Sequence, residues 1–240
     1  MTLIIPKFNY QPIDRVSENG KRFYQTPDGG KVSSVTTILE KTKSAESVAA
    51  LQNWRKAVGV AKAQEITTAA ANRGTRMHSY LENYLLTGDL GSPGTNPYAK
   101  ISHAMAEVVV HNGMKHADEV WGSEVALYYP GLYAGTTDCV GQWKGNPAIL
   151  DFKQANKPKR KEWIEDYFYQ LLFYATAHNK MFNTDIRTGV ILMCCQPKVN
   201  AKLEIVESPQ YQEFVLEGDE WDFYEEKMWD RLETYYKFHH

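Results

Sequence analysis

Apolar positions recur with two different periods along this 240-residue chain. From residue 45 to residue 116 they return every three to four positions, the spacing of amphipathic helices. Ser44 caps a predicted helix over Ala45–Val58 that stops at Gly59, a second runs Val60–Leu86 up to Gly88, and a third covers Tyr98–His116. The stretch Gly88–Pro97 holds three Gly and two Pro in ten residues and reads as a loop between helices. Ahead of the helices, Phe23-Tyr24-Gln25 and Lys31-Val32-Ser33 flank Pro27-Asp28-Gly29-Gly30, a hairpin signal, and Ser34–Leu39 opens a short helix.

Beyond residue 120 the period shortens. Glu124–Tyr129, Gly135–Lys144 and Ala148–Lys153 read as strands, with a turn at Lys144-Gly145-Asn146. Trp163–Phe182 returns to helical spacing, and Val190–Gln196 is an apolar run of the kind found in buried strands. Lys202–Val206 and Gln212–Leu216 read as further strands, and Asp219–Phe238 as an amphipathic helix carrying Trp221, Tyr224, Met228 and Leu232. The order of elements predicts one α/β (α+β) domain over 1–240. An N-terminal hairpin and helical region would occupy 1–120, and a sheet-centred core 121–240. No repeat or low-complexity tract interrupts it.

Composition narrows the class. A chain of this length can bury about 70–75% of its unfolded surface, so it needs no disulfide or structural metal to hold a core. Val190–Cys195, the six-residue apolar run, is far short of the roughly 20 residues of a membrane span. Met1–Tyr10 lacks a charged start and a long apolar run, and so does not read as a secretory signal. Three cysteines, two of them adjacent (Cys139, Cys194, Cys195), fit neither a disulfide framework nor a four-cysteine cluster. These features suit a reducing, cytoplasmic compartment. With 27 basic and 29 acidic side chains the net charge is −2, so any nucleic-acid contact has to come from a local basic region rather than a basic coat.

The chemistry concentrates in Gly135-Thr136-Thr137-Asp138 and Ile149-Leu150-Asp151-Phe152-Lys153. Alternate side chains of a strand share a face, so Asp151 and Lys153 point together while Leu150 and Phe152 enter apolar packing. A hairpin centred on Lys144-Gly145 brings Asp138 opposite Asp151. Two close carboxylates repel unless a cation lies between them, and hard oxygen donors favour Mg²⁺ or Mn²⁺. The same spacing also suits a surface Asp–Lys cross-strand pair. On the second helix His78 and Glu82 are four apart and share a face. His78 is either an additional nitrogen ligand or a structural histidine. Gln170 and Tyr174 share a face of a later helix and either position a phosphate or water or simply satisfy each other.

The ordered set Gly74…His78…Glu82, Glu124, Gly135…Asp138, Asp151-Phe152-Lys153 and Gln170…Tyr174 resembles the RecB-like branch of the PD-(D/E)XK nuclease superfamily, over some 40% of the chain. Within that branch, Val32-Ser33-Ser34-Val35-Thr36-Thr37 resembles the Ser-Val-Thr motif of the mitochondrial genome maintenance exonucleases and their phage relatives. The resemblance implies a central mixed sheet flanked by helices, with an N-terminal helical arch. It implies Asp138, Asp151 and the Phe152 carbonyl as metal ligands, with His78 as the additional one. It further implies Lys153 as catalytic lysine, Glu124 supporting the metal site, and Gln170 and Tyr174 positioning site and DNA. Three cysteines cannot supply the iron–sulfur cluster of some relatives, which points to the cluster-free exonucleases.

Lys157-Pro158-Lys159-Arg160-Lys161 follows the predicted strand of Asp151 and Lys153 directly and reads as a phosphate-contacting segment or as a solvated loop. Ser34, Thr36, Arg73 and Arg76 complete the candidate DNA contacts. Single-stranded DNA is the substrate implied, with neither a membrane nor a named protein partner. A duplex-end recombination exonuclease, a structure-specific endonuclease and a non-catalytic single-strand binding module are the alternatives. A phage gene expressed in a bacterial host is the implied source.

Overall fold

A computed structural model describes residues 3–18 and 21–239. Met1 and Thr2, the start of the Met1–Tyr10 stretch, lie outside it. Among the described residues, eight strands form one mixed sheet. They are β1 (Asp14–Glu18), β2 (Lys21–Gln25), β3 (Lys31–Ser34), β4 (Ala117–Tyr129), β5 (Tyr133–Trp143), β6 (Asn146–Ala155), β7 (Thr188–Cys195) and β10 (Gln210–Leu216). A separate short hairpin pairs β8 (Lys198–Val199) with β9 (Ile205–Glu207). The helices are α1 (Val35–Lys41), α2 (Ala45–Val58), α3 (Val60–Thr87), α4 (Pro97–Asn112), α5 (Glu165–Phe182) and α6 (Gly218–Phe238).

Local chemistry explains most of these elements. Ser34 and Ser44 cap α1 and α2 by accepting the Thr37 and Ser47 N–H groups. Asn96 does the same for α4, with Pro97 in its first turn. The β5–β6 hairpin turns in two residues, Lys144 and Gly145, both with positive φ, which matches the twist of the flanking strands.

The sheet carries two apolar layers. One packs Ile149, Ile191 and Met193 against Val35 and Ile38 of α1, Phe168 and Leu172 of α5, and Trp221 and Met228 of α6. The other packs Leu150, Phe152 and Leu192 against Met77 and Leu81 of α3 and Met105 of α4. Each such buried side chain contributes about 1.5–3 kcal/mol relative to exposure. By contrast α2 buries none of its residues and leans on α3.

The way β5 is shared between neighbours positions the site. β4 pairs with it along its whole length, from Tyr129↔Tyr133 to Ala117↔Trp143. On the opposite edge two strands divide it. β3 runs parallel at Ser33↔Tyr133 and Ser34↔Ala134, and β6 runs antiparallel from Cys139↔Leu150 to Trp143↔Asn146. Residues 135–138 therefore have no ladder partner on that edge, and the sheet forks there. α5 makes the crossover between the parallel strands β6 and β7.

Several predicted boundaries are corrected. The Tyr98–His116 helix ends at Asn112, because Gly113 closes it and Met114–His116 form a 3-10 turn. The Trp163–Phe182 helix starts at Glu165; Lys161–Trp163 form a 3-10 turn, and Ile164 offers no capping oxygen. The predicted strand Lys202–Val206 is shifted: only Ile205 and Val206 are extended, within β9, and Lys202–Glu204 belong to the turn before it. The segment falls in the β8–β9 hairpin, whose residues bury no face and whose turn holds Leu203 at φ +62°. β4 starts seven residues before the predicted Glu124, since register shifts at Ala117/Glu119 and Val120/Gly122 break its alternation. β1–β3 pair into the same sheet as the later strands.

Candidate active site at the fork of the sheet

The register that pairs Cys139 with Leu150 continues to put Asp138 beside Asp151, but no backbone ladder forms there. Instead the Phe152 N–H donates to Asp138 Oδ2 at 2.6 Å, so a side chain closes the fork where a strand carbonyl would otherwise accept. Across the fork, His78 of α3 meets Asp138, with Nδ1 3.1 Å from Oδ1. Glu124 of β4 comes from the third side, held at φ +49°, a backbone region uncommon for a residue with a side chain. Ligand atoms of His78, Glu124 and Asp138 lie within 4.8 Å of one another.

Asp151 is not one of these three. It is buried and ion-paired to Lys153. Lys153 Nζ also donates to Gln170 Oε1 at 3.1 Å, and Gln170 Nε2 donates to the Tyr174 hydroxyl at 3.1 Å. A continuous polar chain thus runs from β6 into α5, with Tyr167 flanking the ammonium 4.9 Å from its ring centre. Gly135, in the unpaired stretch of β5, lies directly against the Tyr174 ring.

The charges at the fork are strained by burial and by one another. Glu124 is exposed as a residue, yet its carboxyl is pushed up to about 7, by partial loss of water and then by the Asp138 and Glu82 carboxylates. Burial pulls the His78 imidazole down, but the Asp138 carboxylate outweighs it and leaves the ring above its ordinary value. Asp138 feels the reciprocal effect: burial would raise it, and His78 with Lys153 hold it below the usual carboxylate range. Burial holds Asp151 above that range despite Lys153, whereas Asp151 and Asp138 keep the Lys153 ammonium charged. Crowded carboxylates with one imidazole are a donor set compatible with a divalent cation, and oxygen-rich donors suit Mg²⁺ or Mn²⁺.

The other candidate residues are scattered around this centre. Glu82 lies one turn after His78 and acts on the site through its charge on Glu124. Ser34 is buried, its hydroxyl occupied as the α1 cap and bonded to Thr36 and Thr37, while Thr36 itself is exposed. Arg73 is buried and donates to Gln154 Oε1 at 3.0 Å and to Asn156. Arg76 reaches Ser102 Oγ at 3.4 Å and lies over the Tyr98 ring. Of the basic segment, Lys157 and Arg160 are exposed, with Arg160 over Trp163. Lys159 is tied through its backbone to Gln212, and Lys161 is ion-paired with Glu220 of α6. The spacing of the sequence did not single out Gln154, Asn156 or Tyr98; they become visible only because α3 and α4 pack beside the end of β6.

No family model matches the chain. It is similar to "Mitochondrial genome maintenance exonuclease 1" of Xenopus tropicalis, 28% identical over 179 residues that cover 68% of this chain and 48% of the relative. The mouse (Mus musculus) and human (Homo sapiens) proteins of the same name are 26% and 25% identical, again over 68% of this chain and 49% and 48% of theirs. The chain thus spans about half the length of these curated relatives. A crystal structure described as "Putative exonuclease" from Eubacterium rectale aligns with a TM-score of 0.47 and 12% identity, over 70% of this chain and 65% of that one.

Proposed function

We propose that this chain is a metal-dependent DNA exonuclease that hydrolyses phosphodiester bonds at single-stranded ends, built as one nuclease domain. The observation that carries the proposal is the fork itself, where His78, Glu124 and Asp138 converge beside the Asp151–Lys153–Gln170–Tyr174 chain. The likeness to proteins named exonucleases supports it. Intact Asp138, Asp151 and Lys153 speak against a module that only binds, because binding does not require an ammonium ion-paired beneath crowded carboxylates.

His78, Glu124, Asp138 and Asp151, with the Phe152 carbonyl, would hold the metal. A bound divalent cation supplies an activated water and offsets charge on the phosphate. Asp151 keeps Lys153 charged and in place, so that a fixed ammonium is available to a phosphate oxygen as charge builds on it. Gln170 and Tyr174 hold that ammonium from the helix side. A reducing, cytoplasmic compartment, in a bacterial host where the gene is phage-borne, goes with this reading.

The test is a time course on linear single strands labelled at either end, with circular single strands and blunt duplex of matched sequence. Each is run with Mg²⁺, with Mn²⁺ and with chelator. The expected outcome is metal-dependent shortening of the linear single strand and little cutting of the circle. Full activity in chelator removes the metal, rapid cutting of the circle points to an endonuclease, and preference for blunt duplex points to a recombination exonuclease.

A further inference from the structure

A cavity of about 570 Å³ opens between α3, α4 and the β8–β9 hairpin, bordered by Arg73, Arg76, Tyr98, Ile101, Pro197 and Leu203. Its charge balance is unusual. Arg73 is nine-tenths buried, and the groups it donates to, Gln154 and Asn156, are neutral amides. Arg76 stands one turn further along α3, its Nε 3.4 Å from the Ser102 hydroxyl. Among the described residues no carboxylate lies within ion-pair distance of either guanidinium. Glu65 also lines the cavity, but its carboxylate is ion-paired with Lys62. Buried cations are ordinarily paired, so two adjacent guanidinium groups with no carboxylate partner among the described residues are short of one anion.

The rest of the wall says which kind. Tyr98 is half-exposed, and its ring lies 5.9 Å from the Arg76 guanidinium carbon, while Ile101, Pro197 and Leu203 are apolar. A flat aromatic face beside a guanidinium, over an apolar floor, suits a nucleobase. The two arginines suit the phosphate attached to it. The cavity also adjoins the fork. Gln154 and Asn156 follow Lys153 on the same run of chain, and Arg73 precedes His78 by five residues, about 7.5 Å of helix rise.

We propose that this cavity is a nucleotide subsite, with a phosphate on Arg73 and Arg76 and a base against Tyr98. The proposal rests on the exonuclease reading for its occupant, which is either one unit of the bound strand or the mononucleotide it releases.

The experiment measures binding by the full chain in chelator, so that no cleavage intervenes. A fluorescein-labelled single-stranded oligonucleotide is followed by anisotropy and an unlabelled deoxynucleoside monophosphate by calorimetry. Arg76→Ala and Tyr98→Ala should each weaken oligonucleotide binding about tenfold, within the range of losing one stacked base. Tyr98→Phe, which keeps the ring, should stay within about twofold of the wild type. Circular dichroism melting of each variant separates lost binding from lost fold. Sensitivity of the oligonucleotide alone places the strand in the cavity, and equal sensitivity of the monophosphate places the product there as well. Unchanged binding of both probes in folded Arg76→Ala and Tyr98→Ala overturns the subsite. A wild type that binds through Tyr98 but degrades no DNA with either metal keeps the subsite and overturns the exonuclease reading.

Discussion

A methyl group at position 135 would stand 2.7 Å from Tyr174 Cε1 and 3.1 Å from its hydroxyl oxygen. Tyr174 cannot retreat, because its ring is buried and its hydroxyl receives the Gln170 amide that also ties down Lys153. The contact explains Gly135 in the Gly135…Asp138 spacing: close approach of the helix to the open edge of β5, not backbone freedom. Gly135→Ala should therefore cost about 1–3 kcal/mol as an overpacked core position. It should also lower the nuclease rate more than the stability loss explains, since the displaced ring moves Gln170 and Lys153. Thermal melting alongside the rate checks this; a variant with wild-type melting temperature and rate shows that the ring has room to yield. At the same scale, the partnership of Asp151 with Lys153 was open in the sequence as either a site or a surface pair. Burial excludes the surface pair, because a solvated ion pair would not lie beneath α5 and share an amide with Gln170.

Among the elements, α5 does two separate jobs at its two ends. Its N-terminal half carries the Gln170–Tyr174 chain, and its C-terminal half carries His178, fully buried and unrelated to the fork. His178 Nε2 lies 2.9 Å from the Tyr10 hydroxyl and Nδ1 2.8 Å from the Thr184 hydroxyl, among the rings of Phe8 and Phe182. Burial drives its imidazole down to about 4. The unfolded value is about 6.5, so between these values the unfolded chain binds the extra proton. Stability is then fully present above pH 6.5 and lost as pH falls toward 4, by roughly 3 kcal/mol in all, with about 2 kcal/mol gone by pH 5. Denaturant unfolding at pH 7 and pH 5 should show this difference in the wild type and a smaller one in His178→Gln, whatever the absolute stability of that variant. Equal pH differences in the two proteins would mean that the histidine is already protonated in the fold. The N-terminal segment through Tyr10 is thereby anchored to α5, a connection that no local pattern in residues 3–13 announces.

On the scale of the whole molecule, a net charge of −2 leaves the proposed attraction to DNA to local clusters. The basic segment after β6 is smaller in effect than its composition suggests, since Lys161 is neutralised by Glu220 while Lys157 and Arg160 remain exposed. Each phosphate contact to a single strand adds about −0.7 to the slope of log affinity against log salt. Lys157→Ala and Arg160→Ala should each flatten that slope by about 0.7, and Lys161→Ala should leave it nearly unchanged. Anisotropy titrations over a salt series, in chelator, test this; a flattened slope in Lys161→Ala would show that Glu220 releases its partner when DNA binds.

The local pattern of the chain was enough for the helices with good caps, the two-residue hairpin at Lys144-Gly145 and the register that sets Asp138 beside Asp151. Those features depend on neighbours a few residues away or on one short turn, where propensity and alternation are strong. It also showed the order of the candidate site residues, because chemistry-bearing side chains stand out from the apolar pattern around them. The packing of sheet and helices settled that β3 and β6 divide one edge of β5 and leave 135–138 open. It likewise settled that Glu124 rather than Asp151 joins His78 and Asp138 in the tightest group, that Ser34 is spent on a helix cap, and that Arg73 lies buried against neutral amides. Each of these depends on contacts between residues tens of positions apart, whose closeness is set by how sheet and helices pack and leaves no period in the chain.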